Sequence, residues 1–330
     1  MKVKVRKPVS VLIPAPPKVT DEAVVVLSPY LSNLDLADSQ LWTVDERGSI
    51  LRFSTNGLES MNKVEGFNTG ASVSFVDSKN GWAFVPGTLF GAVRRTTDGG
   101  FTWKDLPVNP EFSTAELQRL HFVDLKHGWL TDMFSVWRTV DGGQHWKEVL
   151  RDDSKALGIT DIAFVNATTV MLTQIDGHVL VTHDGGDSWL PGRGASDLYA
   201  IAARGREAWS IGLDNNVYRS PDGGRNWVEL PHINLRGRMT SLQFISSLEG
   251  WATGSEVVEK NRTQILNLEV TGVLLHTKDG GLTWEKLIVP SDINFTRVAF
   301  LNSSTGWLMG QNGLHQTNDG GQTWKTLIER

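Results

Sequence analysis

The sequence predicts an all-β fold, a seven-bladed β-propeller of four-stranded antiparallel blades, on three observations. An eight-residue box recurs six times and a seventh time in decayed form. Successive boxes lie about one four-stranded unit apart, and tryptophan is gathered into two repeating columns. Composition agrees: 330 residues with 40% hydrophobic and 21% charged is the make-up of a folded chain with room for a sizeable core.

The boxes read Thr96-Thr-Asp98-Gly-Gly100-Phe-Thr-Trp103, Thr139-Val-Asp141-Gly-Gly143-Gln-His-Trp146 and Thr182-His-Asp184-Gly-Gly186-Asp-Ser-Trp189. Three more are Ser220-Pro-Asp222-Gly-Gly224-Arg-Asn-Trp227, Thr277-Lys-Asp279-Gly-Gly281-Leu-Thr-Trp284 and Thr317-Asn-Asp319-Gly-Gly321-Gln-Thr-Trp324. The decayed copy, Ser54 to Met61, keeps a hydroxyl and Asn56 but loses the second glycine and the tryptophan. From Asn56 to Asp319 the third positions are separated by 42, 43, 43, 38, 57 and 40 residues. In each box the Asp accepts turn N–H groups, Gly-Gly supplies positive φ, and the Trp anchors the next strand. Asp98, Asp141, Asp184, Asp222, Asp279 and Asp319 are therefore expected to be structural.

Upstream of each box runs a second column, Phe75 to Trp82, Phe122 to Trp129, Phe244 to Trp251 and Phe300 to Trp307. Weaker versions are Leu36 to Trp42, Phe164 to Met171 and Ala202 to Trp209. Twelve of the 13 Trp fall in the two columns, leaving Trp137 outside. Each repeat thus reads as strand, tight turn, strand, link, strand, box turn, strand. The chemistry is that of hairpins.

Boxes of the form T-x-D-G-G-x-T-W joined to F-x-D-x-x-x-G-W strands resemble photosystem II stability/assembly-factor proteins, within the wider BNR/Asp-box propellers. The resemblance covers about residues 31 to 330. It implies a seven-bladed propeller, usually exported to a periplasm or lumen, that chaperones or scaffolds a protein client such as a membrane-protein assembly intermediate. Relatives also occur in non-photosynthetic bacteria.

Other function classes find little footing. A net charge of -5 opposes a bulk grip on nucleic acid, and zero cysteines remove thiolate chemistry and thiolate zinc sites. The histidines lack metal-ligand spacing, and no phosphate loop is present. No cofactor or metal is expected. A sialidase needs a tyrosine nucleophile and an arginine triad, and neither is recognisable around Tyr30, Tyr199 and Tyr218. A carbohydrate-binding or glycoside-cleaving propeller is the alternative, with Asp152, Asp153 and Asp161 as its only carboxylate candidates. No run approaches a membrane span, and the apolar stretch Val9 to Ile13 is cut short by Pro14, so no signal peptide is expected in these residues.

If the box joins the third and fourth strands on one face, the remaining loops emerge on the opposite face, where function is expected. Partner-binding candidates there are Arg151, Arg193, Arg236 and Arg238 on loops. Three residues before the Phe column stand Asn33, Ser72, Arg119, Asp161, Tyr199, Ser241 and Arg297. Of these, Arg119, Arg297, Tyr199 and Asp161 join the candidate site. Arg119 and Arg297, on blades three and seven, are expected to lie far apart around the ring. An arginine-bearing face calls for an acidic or carboxylate-terminated peptide. Two segments stand outside the repeat: an N-terminal arm, residues 1 to 30, and an insertion, Ser255 to Thr271, that reads as an extended hairpin in blade six. A strand of the arm around Ala23 to Leu27 is a candidate for closing the ring, although Trp324 to Arg330 already supplies the last strand. A monomer is expected.

Overall fold

The computed structural model describes residues 25–26, 31, 33–67, 71–86, 91–107, 119–151, 158–259 and 268–329. These residues form seven antiparallel sheets, each built from four sequential strands in the order A, B, C, D. The seven-bladed propeller is thus as expected. The inner A strands are Asp35–Ala37, Ser72–Phe75, Arg119–Phe122, Ile159–Phe164, Leu198–Arg204, Gly237–Phe244 and Phe295–Phe300. Blade three is representative: Arg119–Phe122, Gly128–Thr131, Ser135–Thr139 and Lys147–Arg151 pair as consecutive hairpins.

Box geometry explains its sequence. In blade three the Thr139 hydroxyl donates to Asp141 Oδ1 (2.8 Å) and accepts the Gly143 N–H (3.0 Å). Asp141 Oδ1 also accepts the His145 N–H (3.0 Å). Gly142 and Gly143 sit at φ 75 and 91, the left-handed region that side chains disfavour. The Gly142 N–H reaches Lys126 O in the A–B turn (2.8 Å), so box and A–B turn share one face.

The two tryptophan columns meet between blades. Trp82 of blade two stacks on Phe122 of blade three (3.8 Å, 7°), and Trp146 from the blade-three box closes edge-on (5.9 Å, 83°). Trp42 on Phe75, Trp209 on Phe244 and Trp251 on Phe300 repeat the stack. A Cβ on Gly128 would lie 2.5 Å from the Phe122 ring, and the same close approach accounts for the glycines before Trp82, Trp251 and Trp307. These tryptophans are fully buried, so the core is a ring of interblade clusters rather than one central mass.

Closure follows the same pattern. Trp307 and Leu314 of blade seven pack with Leu41, Leu51 and Phe53 of blade one. Gln316 Nε2 and Asn318 Nδ2 donate to Ser54 O (3.0 Å) and Thr55 O (3.1 Å). From the arm, Val25–Val26 add a fifth strand, parallel, to Lys325–Glu329. That strand flanks the C-terminal strand and replaces nothing in the blade. The insertion in blade six extends strands B and C as a hairpin whose pairing runs out to Glu259 and Leu268. Its residues Ile265 and Leu266 lie outside the described residues.

Candidate functional site

A propeller's A strands present their inner edges to the channel, where no further strand can pair with them. Their N–H and C=O groups need other partners. The polar column supplies many of them, and this was not legible beforehand. Asn33 donates to Val73 O (2.8 Å) and accepts its N–H (3.3 Å), spanning blades one and two. Ser72 Oγ accepts the Leu120 N–H (3.3 Å), Arg119 Nη1 donates to Ile162 O (3.0 Å) and Asp161 Oδ2 accepts the Ile201 N–H (2.9 Å). One layer deeper, Asp35, Ser74 and Gln243 accept the N–H groups of Phe75, Phe122 and Phe300. Each bond crosses from one blade to the next.

Four of the candidates converge at the channel mouth. Arg119 Nη1 lies 2.7 Å from Asp161 Oδ1, with side chains 30% and 15% exposed, so this pair is shielded enough to matter. Arg297 donates to Thr296 O (2.8 Å) and forms no ion pair among the described residues. Burial pulls its basicity below the usual range and the like charge of Arg119 adds to this, while Asp161 and Tyr199 oppose it. Arg297 thus lies within electrostatic reach of Arg119, Asp161 and Tyr199, although it stands on blade seven. Arg238 joins them through Tyr199, its guanidinium 3.9 Å from the ring centroid.

The other three loop arginines do not enter the mouth. Arg151, at the end of an outer strand, is held by Glu148 through Nε (2.9 Å) and Nη2. Arg236 is exposed, and its carbonyl accepts the Val257 N–H of the insertion hairpin (2.6 Å). Arg193 departs from expectation most. The outer strand Leu190–Pro191 is only two residues long. The chain then turns against the next box, where Arg193 bonds Arg225 O (2.9 Å) and the Trp227 N–H (2.8 Å). That position is on the outer wall.

The six box carboxylates are occupied by their turns. Burial pushes Asp98, Asp141, Asp222, Asp279 and Asp319 up, and hydrogen bonds from the box outweigh it and hold them below the usual carboxylate range. Asp184 is lowered too, first by the Ser188 hydroxyl. Asp152 and Asp153 lie outside the described residues. Among the described residues, no group of three or more acids and histidines is placed to hold a metal ion, and no helix is long and apolar enough to cross a membrane.

No protein-family model matches the chain. The photosystem II assembly lipoprotein Ycf48 of Synechococcus sp. (strain CC9902) is 25% identical over 279 residues, 71% of this chain and 81% of that protein. The chloroplastic photosystem II stability/assembly factor HCF136 of Cyanidioschyzon merolae is 23% identical over 206 residues. That alignment spans 56% of this chain and about half, 46%, of the relative. Among solved structures, YCF48 bound to a D1 peptide matches with a TM-score of 0.67 at 18% identity, over 91% of this chain and 98% of that one. The GH74 enzyme of Niastella koreensis matches with a TM-score of 0.69 at 13% identity, over 92% and 54%. At such identities the structures show the fold alone. A ring of seven blades, six of them carrying the box, with these relatives makes the chain similar, in sequence and in fold, to the photosystem II stability/assembly factors.

Proposed function

We propose that this chain is a non-catalytic protein-binding scaffold, an assembly chaperone that holds a peptide segment of its client at the channel mouth opposite the boxes. The observation that carries this reading is the charge imbalance there. Arg119 and Arg297 share a mouth with one carboxylate, Asp161, which already accepts a backbone N–H. An incoming carboxylate relieves the repulsion and pairs in a bidentate way. Its natural source is an acidic segment or a peptide C-terminus. Relatives named as assembly factors, one seen with a D1 peptide, support a protein client, here a membrane protein during assembly. Against hydrolysis stand an Asp161 committed to Arg119 and Ile201, and box carboxylates committed to turns.

The test is titration of an acidic, carboxylate-terminated peptide against the wild type and Arg297→Met at two salt concentrations. Arg297→Met is the cleaner variant because Arg119 also holds Ile162 O. Affinity is expected to fall roughly tenfold, with a shallower salt dependence. Equal affinity at both salt concentrations would remove the arginine mouth as the site.

A further inference from the structure

Beside the mouth, on the same face, a cleft of about 380 Å³ opens between blades four and five. Tyr199 and Arg238 form its inner wall, and Ile159, Ile175, Leu198 and Leu213 supply an apolar lining. Ile175 and Leu213 are 63% and 46% exposed, an unfavourable display for isolated aliphatic side chains at the rim of a polar mouth. Asp176 and Asp197, both exposed, also line the cleft, and Asp176 Oδ2 lies 3.0 Å from His178 Nδ1.

The cleft is built rather than accidental. The Ile175 N–H donates to Gly158 O (2.7 Å) and the Leu213 N–H to Asp197 O (3.1 Å), fixing the loops within each blade, and the Leu198 N–H donates to Gly177 O (3.1 Å), tying the two blades together. Gly177 and Asp197 both hold positive φ, 81 and 59, and a Cβ on Gly177 would lie 2.4 Å from the Asp197 nitrogen. A rim fixed in this way needs little ordering when a ligand arrives.

We propose that this cleft is a side-chain subsite that reads the client peptide. It takes an aliphatic or aromatic residue a few positions before the carboxylate held by Arg119 and Arg297. The inference rests on the peptide-binding reading above and adds sequence preference and direction to it. Charge complementarity sets the direction. The peptide's carboxylate faces Arg297 and Arg238, its apolar side chain enters between Ile175 and Leu213, and its upstream end passes Asp176 and Asp197, which favour a cation. Tyr199 is the shared wall: it faces the cleft on one side and lies within electrostatic reach of Arg297 on the other.

The experiment uses the full chain and fluorescein-labelled hexapeptides with a free carboxylate, in which a single leucine is moved through the last four positions of an otherwise serine and alanine sequence. Amide-capped versions and the variants Ile175→Ser and Leu213→Ser complete the set. Both substitutions fall on exposed side chains and are expected to leave the fold intact, which circular dichroism checks. One leucine position is expected to bind roughly tenfold tighter than the leucine-free peptide. That gain should vanish in both variants, and amide capping should weaken every peptide. If capping weakens binding but no leucine position matters, the cleft inference is overturned while the arginine reading stands. If capping is harmless, or if no peptide binds, both are overturned.

Discussion

Two half-buried groups on the inner strands, Asp35 and His121, oppose each other in their response to pH. Burial pushes the Asp35 carboxyl up to about 7, against the lowering effect of the Phe75 N–H it accepts at 2.5 Å. Burial, with the charge of Arg119, brings His121 down to about 4, where its ring stacks on Phe164 (4.4 Å). A carboxyl whose folded pKa is raised contributes stability that is complete below about pH 4 and is lost as pH rises towards 7. A histidine whose folded pKa is depressed contributes stability that is complete above about 6.5 and is lost as pH falls towards 4. Asp35→Asn is therefore expected to gain on the wild type as pH rises from 4.5 to 7.5, by on the order of 2 kcal/mol for a side chain only half-buried. His121→Gln is expected to gain as pH falls. Urea unfolding at the two pH values measures both, and curves parallel to the wild type would refute the assignment.

At the scale of the element, the box is where sequence and structure agree most closely, because the turn needs the same few atoms every time. Asp141→Ala removes an acceptor for the Thr139 hydroxyl and the His145 N–H and is expected to cost about 1–2 kcal/mol. Trp146→Ala empties a buried site against Phe122 and is expected to cost about 3–5 kcal/mol. Peptide affinity of the folded protein should not change in either variant; a selective loss of binding at unchanged stability would give the box a functional role. The box contribution is present above the ordinary carboxylate pKa and fades as pH falls through it, since these carboxylates sit lower in the fold. A third column was hidden from sequence reading. The residue before the box hydroxyl caps the strand B ring of its own blade: Arg95 over Trp82 (5.1 Å), Arg138 over Trp129 (5.6 Å), Arg219 over Trp209 (5.4 Å) and His276 stacked on Trp251 (4.7 Å). Arg138 then donates to Gly185 O of the next box (3.0 Å), and Gln316 donates to Ser54 O in the same way. Arginine, histidine and glutamine share this task through reach and donor capacity, so no single residue type runs through the column to reveal it. The mouth was half legible for a related reason. Alternation marks which residues face the channel, but only closure of the ring brings blade three opposite blade seven.

For the whole molecule the question is what closes the ring. The seam between blades seven and one buries Trp307, Leu314, Leu41, Leu51 and Phe53 in one cluster, and Gln316 and Asn318 tie it from the box face. The added strand Val25–Val26 contributes two residue pairs on the outside of Lys325–Glu329. The seam buries five large side chains, whereas the strand adds only two residue pairs on the outside, so closure belongs to blades seven and one themselves. A chain starting at Leu31 is then expected to stay folded, its melting temperature lower by roughly 2–4 °C for a loss of about 1 kcal/mol. Phe53→Ala in the full chain is expected to cost about 3–5 kcal/mol, because the ring leaves a cavity at the one place where the two ends of the propeller meet. Differential scanning calorimetry of both proteins decides between the two. A truncated chain that is unfolded, or that loses more stability than Phe53→Ala, would show that the ring is held shut from outside by the added strand.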